Sequence, residues 1–352
     1  MRYIFSALSG GVDSAVVLHL LKQQYPNVIG LSHRHWPESK CCSTACIDAC
    51  RSQCDTMGVP FFPVDTLVPF TETIVEAFAS AYYRGITPNP CVYCNQQHRF
   101  SLMIDLYFKQ QQIQKTDDYL IATGHYARID KTENWYQLKR GIDPEKDQSY
   151  MLYRLSQEQL SHCRFPLGDY EKTEVRKIAD KLSLPSAKIP DSQDICFVED
   201  DYREFIKQYT GKEHVPGLFK DLNGNILGPH KGIACYNRGQ RKGLGLGGGP
   251  WFVLHINTVT NEVILGNRED LNVDKFSIGD CVWHSPTPPE HLEGTIQVRY
   301  HGKEIPGILT KTEDEKYDIQ LAQSSSNICP GQHAVIYQDD LVIGGGTILK
   351  FT

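Results

Sequence analysis

Over the first two hundred residues, short apolar runs alternate with helical periods, and this alternation restricts the fold more than any other feature. YIFSAL (3–8), VIGLSH (28–33), PFFPVD (60–65) and YLIATG (119–124) read as strands. Between them, DSAVVLHLLKQQ (13–24), STACIDACRSQCDTMG (43–58), ETIVEAFASAYYRG (72–85) and NQQHRFSLMIDLYFKQ (95–110) carry helical spacing. Strands separated by helices of this length imply βαβ units, and therefore a parallel sheet covered by helices on both faces. TEVRKIADKL (173–182) and DYREFIKQY (201–209) are the last clear helices. Beyond about 210 the texture changes to short β runs divided by turn residues, among them 251–267, 280–284, 294–302, 317–323 and 333–349. Such spacing predicts small β-barrels. The expected division is 1–207 for an α/β domain, 208–270 for a small central β domain and 271–352 for a terminal β-barrel.

At 352 residues the chain is long enough to bury large cores without disulfide or metal staples. Its net charge of −6 gives no global field for nucleic acid, so an RNA partner has to be met by a local patch. The start, MRYIFSALSGG, lacks a basic stretch followed by an apolar run, and AVVLHLL (15–21) is too short to span a bilayer. The expectation is a cytoplasmic protein with no membrane partner. In a reducing compartment the 12 cysteines serve as core filler, metal ligands or chemistry rather than disulfides.

The first strand runs directly into Ser9-Gly10-Gly11-Val12-Asp13-Ser14 and then a helix. A helix N-terminus presents free backbone N–H groups and the positive dipole end, which suit a phosphate. The glycines let the backbone approach the anion, the serines add hydroxyl donors, and Asp13 offers a carboxylate for Mg²⁺. The bland alternative is a tight strand–helix turn with an N-cap. The loop is neither GxxxxGK[ST] nor GxGxxG. It resembles the loop of the pyrophosphate-loop ATPases (adenine nucleotide alpha hydrolase-like), which cleave ATP between the α and β phosphates to adenylate a substrate oxygen.

Cys91 and Cys94 form C-x-x-C in TPNPCVYCN (87–95). The two prolines disfavour helix just before the pair, and a helix beginning near Asn95 would leave Cys94 close to its N-terminus, where the dipole enriches the thiolate. Cys196 follows Asp191 and Asp194 in KIPDSQDICFVEDDYREF (188–205), between helices. Three uses compete. Structural zinc commonly takes two C-x-x-C pairs, and the chain has one. A dithiol redox pair leaves the glycine loop unexplained. Sulfur transfer, in which one cysteine carries a persulfide to an adenylated carbon and another resolves the intermediate, uses both features. Cys42, Cys46, Cys50 and Cys54 recur every four residues, a helical stripe drifting about 40° per step. That stripe is a buried run of small side chains, or a zinc site with His33 or His35. Cys163, Cys235, Cys281 and Cys329 are isolated and expected in cores.

SGGVDS (9–14), TPNPCVYCN (87–95), ATGHYA (122–127), DPEKDQSYML (143–152), DSQDICFV (191–198), GQRKGLGLGG (239–248) and VRYHG (298–302) resemble, in order and spacing, the motifs of the tRNA-specific 2-thiouridylases. The resemblance spans nearly the whole chain. It implies ATP-dependent insertion of sulfur at C2 of the wobble uridine in tRNAs for Lys, Glu and Gln. Cys196 matches the persulfide position, and Cys94 matches the nucleophile that would close a disulfide with it. Ala7, Leu8, Ser9, Gly10, Gly11, Val12, Asp13 and Ser14 match the ATP loop. His33 stands where the family often has Met beside the nucleotide, and Gly124 matches another ATP contact, with His125 next to it. Asn89, Pro90 and Cys91 match the segment touching the target base. Lys146, Asp147 and Gln148 match a tRNA-contacting loop, and Arg299, Tyr300 and Gln332 match tRNA contacts in the last domain. Many members have Asp where this chain has Cys91. Cys91, Cys94 and Cys196 could instead hold three irons of a 4Fe–4S cluster, the fourth binding sulfide. Residue spacing leaves persulfide and cluster open. The implied cofactors are ATP and Mg²⁺, with the cluster as the alternative; the implied partners are tRNA and a sulfur-donor protein.

Between Leu222 and Asn261 there is no acidic residue, whereas Lys231, Arg238, Arg241 and Lys242 are present. This local bias suits phosphate contacts that position RNA without reading it. His125, Tyr126 and Tyr93 are candidates to stack on a splayed base or to pack internally. Residues 190–198 are expected to order over the pocket when tRNA binds. Two rivals remain: another pyrophosphate-loop synthetase, which would need no thiols, and a metal-stapled RNA-binding module.

Overall fold

The computed structural model describes residues 2–36, 43–184 and 195–349. Cys41, Cys42, Asp191 and Asp194 lie outside them, as does most of the 190–198 segment. The chain divides into two compact units: one contains residues 1–74, 91–199 and 340–342, the other 75–90, 200–339 and 343–352.

The first unit is the expected parallel sheet. Strands β1 (Tyr3–Ala7), β2 (Val28–Arg34), β3 (Phe61–Asp65), β4 (Tyr119–Ala122), β5 (Ala127–Lys131), β6 (Tyr136–Arg140) and β7 (Cys163–Arg164) occur in chain order. β5 and β6 form an antiparallel hairpin; the others make a five-stranded parallel sheet of order β3-β2-β1-β4-β7. The chain steps outward from β1 through β2 to β3, then returns to place β4 on the other side of β1. That reversal opens a crevice at the carboxyl ends of β1 and β4, where ligands bind in open α/β sheets.

Helix α1 (Val12–Gln24) leaves the end of β1. It buries Val12, Ala15, Val16, Val17, Leu18 and Leu21 in a core that also holds Val175 and Ala179 of the helix Lys172–Lys181. Helix α2 (Thr44–Thr56) is capped by Ser43, which accepts from the Cys46 N–H. Its Cys50 and Cys54 are fully buried, and burial pushes the Cys54 thiol up to about 12. A neutral buried thiol packs as a small hydrophobe. Cys50 and Cys54 of the stripe are therefore core, as is fully buried Cys163, whereas Cys46 is half-buried.

The helix carrying C-x-x-C starts earlier than the sequence suggests. Pro90–Tyr93 is helical and runs without a break into a π-type stretch, Cys94–Leu102, and then Met103–Gln110. Proline is tolerated at the first helical position because its missing N–H would be unpaired there anyway. Pro90 therefore begins the helix instead of forbidding it. Cys91 occupies the first turn, and Cys94 lies beyond it.

In the second unit, helices Glu76–Tyr83 and Tyr202–Thr210 meet through Tyr82 on Tyr202, whose rings stack 4.6 Å apart. A four-stranded sheet has the order Phe252–Asn257, Glu262–Gly266, Gly217–Lys220, Ile226–His230. A six-stranded antiparallel barrel follows. Val273–Trp283, Tyr317–Ser325, Ile305–Lys311, His291–Gln297, His333–Gln338 and Leu341–Ile348 are neighbours in that order, and the last pairs back onto the first. Closure leaves no free sheet edge and encloses Ile278, Ile296, Leu309, Ile319 and Ile336.

The run 238–249 is only partly a free basic surface. Arg238 points inward: its guanidinium donates to the carbonyls of Ile328 (3.0 Å), Leu254 (3.2 Å) and Leu271 (2.8 Å). Burial holds its pKa below the ordinary arginine value. Lys231, Arg241 and Lys242 are exposed. Arg238 is thus a bolt for three backbone acceptors, correcting its expected place among the phosphate contacts. Arg238→Met should destabilise by about 3 kcal/mol, because buried carbonyls lose charged donors. Urea unfolding at matched salt measures this, and a change under 0.5 kcal/mol refutes it.

Candidate ATP crevice and thiol site

The glycine loop leaves β1 at its carboxyl end. Gly10 has φ +76, and a Cβ there would meet the Cys46 carbonyl at 3.2 Å. The Gly10 carbonyl accepts from the Gln53 side chain at 3.2 Å, which fixes the turn to α2. Ser14 Oγ donates to the Gly11 carbonyl (3.0 Å) and accepts from the Ser9 N–H (3.3 Å). These bonds shape the loop around the amino end of α1, whose first N–H groups have no intrahelical acceptor. His33 sits near the end of β2, buried, with its Nδ1 3.5 Å from Thr66 Oγ1. Gly124 follows β4, and a Cβ on it would lie 3.0 Å from Asp13 Cβ. The structure thus brings Ala7 to Ser14 and Gly124 together at the reversal of strand order, with His33 one strand away.

Asp13 is already engaged. Lys172 Nζ lies 2.8 and 2.7 Å from its two carboxylate oxygens, and Tyr126 Oη donates to Oδ1 at 2.9 Å. Two donor groups, one of them a cation, make three hydrogen bonds to the group expected to hold Mg²⁺. A divalent ion at Asp13 has to displace Lys172. Lys172 is the residue that sequence reasoning missed: its side chain is 8% exposed and stands 159 positions from its partner.

Tyr126 and His125 are not open stacking platforms. Tyr126 is buried with its hydroxyl on Asp13. His125 is buried, with Nδ1 2.7 Å from Thr123 Oγ1 and Nε2 3.3 Å from the Arg99 guanidinium. Burial, with Arg99 adding, holds its pKa well below the ordinary value. Tyr93 lies beneath the Arg154 guanidinium, 4.8 Å from its ring centre.

The thiols belong to a ring-lined region. Cys196 Sγ lies 3.3 Å from His35 Nε2, within reach of a thiol hydrogen bond. The His35 ring lies 4.4 Å from Phe70, and Phe70 lies 5.5 Å from His98, four residues beyond Cys94 on its helix. Phe197 closes on Phe70 at 5.7 Å. A neutral imidazole beside a thiol can take its proton and enrich the thiolate. Cys91, Cys94 and Cys196 are half-buried. Among the described residues no group of three His, Cys, Asp or Glu side chains is gathered to hold a metal ion. The three cysteines therefore do not form a ready three-thiolate seat. A separate cavity of about 500 Å³ is lined by Gln96, Ser101, Arg154 and Gln159 and touches neither the loop nor the thiols.

His98 gives a test of this packing. Burial, with His35 next, lowers its pKa to about 4, so it is neutral when folded. The unfolded chain binds that proton near pH 6.5. A depressed folded pKa leaves stability whole above about pH 6.5 and removes it as pH falls toward 4, by up to about 1.4 kcal/mol per pH unit. Urea melts at pH 7.5 and 5.0 should differ accordingly, and His98→Gln should shrink the difference. An identical difference in the variant would count against it.

The remaining expected contacts are placed as follows. Asp147 is buried and accepts from the Gly141 N–H (2.9 Å), the Ser149 N–H (3.2 Å), Ser149 Oγ (2.8 Å) and Arg140 (3.1 Å). Gln148 accepts from the Tyr126 N–H at 3.1 Å, and its own N–H donates to the Tyr126 carbonyl at 2.8 Å. Lys146 is half-exposed in the same loop. Arg299, exposed, and Tyr300 lie in the turn after His291–Gln297. Gln332 donates to the carbonyls of Thr87 (3.0 Å) and Pro88 (3.3 Å), just ahead of Asn89 and Pro90.

Comparison with known proteins identifies the family. Residues 2–200 match the family described as tRNA methyl transferase HUP domain, 203–267 its PRC-barrel domain, and 273–348 the aminomethyltransferase beta-barrel domain. The tRNA-specific 2-thiouridylase of Clostridioides difficile (strain 630) is 40% identical over 361 residues, covering 99% of this chain and 98% of that protein. Its counterpart numbered 1 in Caldanaerobacter subterraneus subsp. tengcongensis is 42% identical, covering 97% and 96%. That of Chloroflexus aurantiacus is 38% identical, covering 99% of each. The words methyl transferase belong to the domain descriptions, whereas the relatives matched end to end are 2-thiouridylases. The motifs, the crevice at the reversal of strand order and the full-length kinship place this chain in the tRNA-specific 2-thiouridylase family.

Proposed function

We propose that this protein uses ATP to replace O2 of the wobble uridine with sulfur in tRNAs for Lys, Glu and Gln. The observation that carries the reading is the position of Cys196, against His35 just beyond the strand that flanks β1, on the sheet that presents the ATP loop. The loop at α1 holds the phosphates, and the uridine oxygen attacks the α-phosphorus, releasing pyrophosphate. The base then carries AMP as a leaving group. The terminal sulfur of a Cys196 persulfide adds to C2 and AMP departs. The Cys94 thiolate next attacks Cys196 Sγ, breaking the bond to the transferred sulfur and leaving 2-thiouridine with a Cys94–Cys196 disulfide. An external dithiol reduces that disulfide, and a sulfur-donor protein reloads Cys196. Mg²⁺ arrives on the nucleotide. Exclusion of water protects the adenylated base from hydrolysis.

No helix among the described residues is long and apolar enough to cross a membrane, and the proposed site of action is the cytoplasm. Lys231, Arg241, Lys242, Lys146, Arg299 and Tyr300 supply phosphate contacts, and Asn89, Pro90 and Cys91 border the base. Incubation with unmodified tRNA, ATP, Mg²⁺ and a sulfur source should yield 2-thiouridine on nucleoside analysis, with AMP and pyrophosphate formed only when tRNA is present. Product-free tRNA after complete loading of Cys196 rejects the reading. In Arg241→Ala/Lys242→Ala, the slope of log affinity against log salt should shrink by about 1.5, because two phosphate contacts are lost. An unchanged slope removes that pair from the RNA surface.

A further inference from the structure

We propose that Lys172 is a positioning residue that links the ATP loop to the 143–148 loop, so that tRNA held by that loop raises the affinity for ATP. The inference rests on the function proposed above.

Two arms leave the 143–148 loop and converge on Asp13. In the first, the Asp143 carboxylate accepts from the Lys172 backbone N–H at 2.9 Å, and Lys172 Nζ reaches both Asp13 oxygens. In the second, Gln148 grips the Tyr126 backbone by two hydrogen bonds, and Tyr126 Oη donates to Asp13. The arms touch each other, since the Lys172 ammonium lies 5.6 Å from the Tyr126 ring centre. Between them Asp147 holds Gly141 and Ser149, so the loop is braced against bending and a pull on it reaches both arms.

Buried charge makes the link firm. An exposed Lys–Asp pair adjusts freely and contributes little. A lysine that is 8% exposed cannot leave its partner without a large desolvation cost, so Asp13 and Lys172 move together. Asp13 lies in the first turn of α1, the turn whose unpaired N–H groups hold the phosphates in the function proposed above. A shift of the 143–148 loop therefore re-aims those donors. Coupling of this kind is reciprocal: if tRNA tightens ATP by a factor, ATP tightens tRNA by the same factor.

The test is calorimetric, using α,β-methylene ATP, which the enzyme cannot cleave, with and without unmodified tRNA. In the native protein tRNA should tighten the analogue about 5- to 150-fold, the usual range for coupled sites. Lys172→Met should bring that ratio below about 2-fold, and Lys172→Arg, which keeps a cation on Asp13, should restore part of it. Asp143→Ala and Gln148→Ala cut single arms and should each lower the ratio, so they decide the matter if Lys172→Met does not fold. Circular dichroism melts confirm folding. A native ratio of 1, or native coupling in both Lys172→Met and Asp143→Ala, overturns the link while leaving the thiolation reading intact. Failure of the native protein to bind tRNA or the analogue strikes that reading instead.

Discussion

Cys196→Ser protein, given unmodified tRNA, ATP, Mg²⁺ and a sulfur donor, should make at least about 10³-fold less 2-thiouridine than the native protein, because a covalent step is lost rather than slowed. Serine is nearly isosteric, so the contacts of Phe197 with Phe70 and Trp36 should survive and the protein should fold. Its hydroxyl cannot carry a sulfane sulfur or leave as a thiolate. In the proposed sequence adenylation precedes sulfur transfer, so tRNA-dependent release of pyrophosphate should persist. Cys94→Ser should behave differently, trapping tRNA on Cys196 through the transferred sulfur, an adduct released by dithiothreitol. Cys196→Ser activity within tenfold of native would sink the persulfide route, as would loss of pyrophosphate release in a folded variant, since adenylation needs no thiol.

The crevice was legible because its chemistry is local. A turn with φ +76 at Gly10 and a helix beginning two residues later are written into consecutive positions. The parallel sheet followed from runs such as YIFSA, buried at every central position because both faces are covered. Other features were illegible for identifiable reasons. The β5–β6 hairpin carries Arg128, Asp130, Lys131, Gln137 and Lys139, and of its members only Ala127 and Leu138 are buried, so little apolar alternation marks it. Pro90 reads as a breaker unless it is recognised as a first helical residue. The π-type winding of Cys94–Leu102 has no compositional signature. Lys172 and Arg238 show a deeper limit. A cation in sequence announces charge but not its partner, and tertiary structure alone turned one onto Asp13 and the other onto three carbonyls. The rings of His125 and Tyr126 were ambiguous for the same reason: an aromatic beside a glycine packs or stacks according to what the fold puts over it.

Gly124→Ala should raise the KM for ATP by about 10- to 100-fold, with a much smaller effect on thermal stability. The added Cβ would lie 3.0 Å from Asp13 Cβ and 3.2 Å from both the Asp13 carbonyl carbon and the Ser14 nitrogen. Two of those three neighbours are backbone, so no flexible side-chain tip can swing away. The strand end or the first turn of α1 has to give by a few tenths of an ångström. The turn is the softer of the two, because β4 is hydrogen-bonded on both sides, to β1 and β7. Displacement there moves the N–H groups proposed to hold the phosphates, and misplacement approaching 1 Å at a reacting group costs about 10²-fold. Gly58→Ala is the matched control: it too sits at positive φ, +63, but a Cβ there has nothing within 4 Å. That variant should lose about 1 kcal/mol of stability from left-handed strain while its KM for ATP stays native. If both alanine variants leave the KM within twofold of native, the nucleotide does not sit between the end of β4 and the first turn of α1.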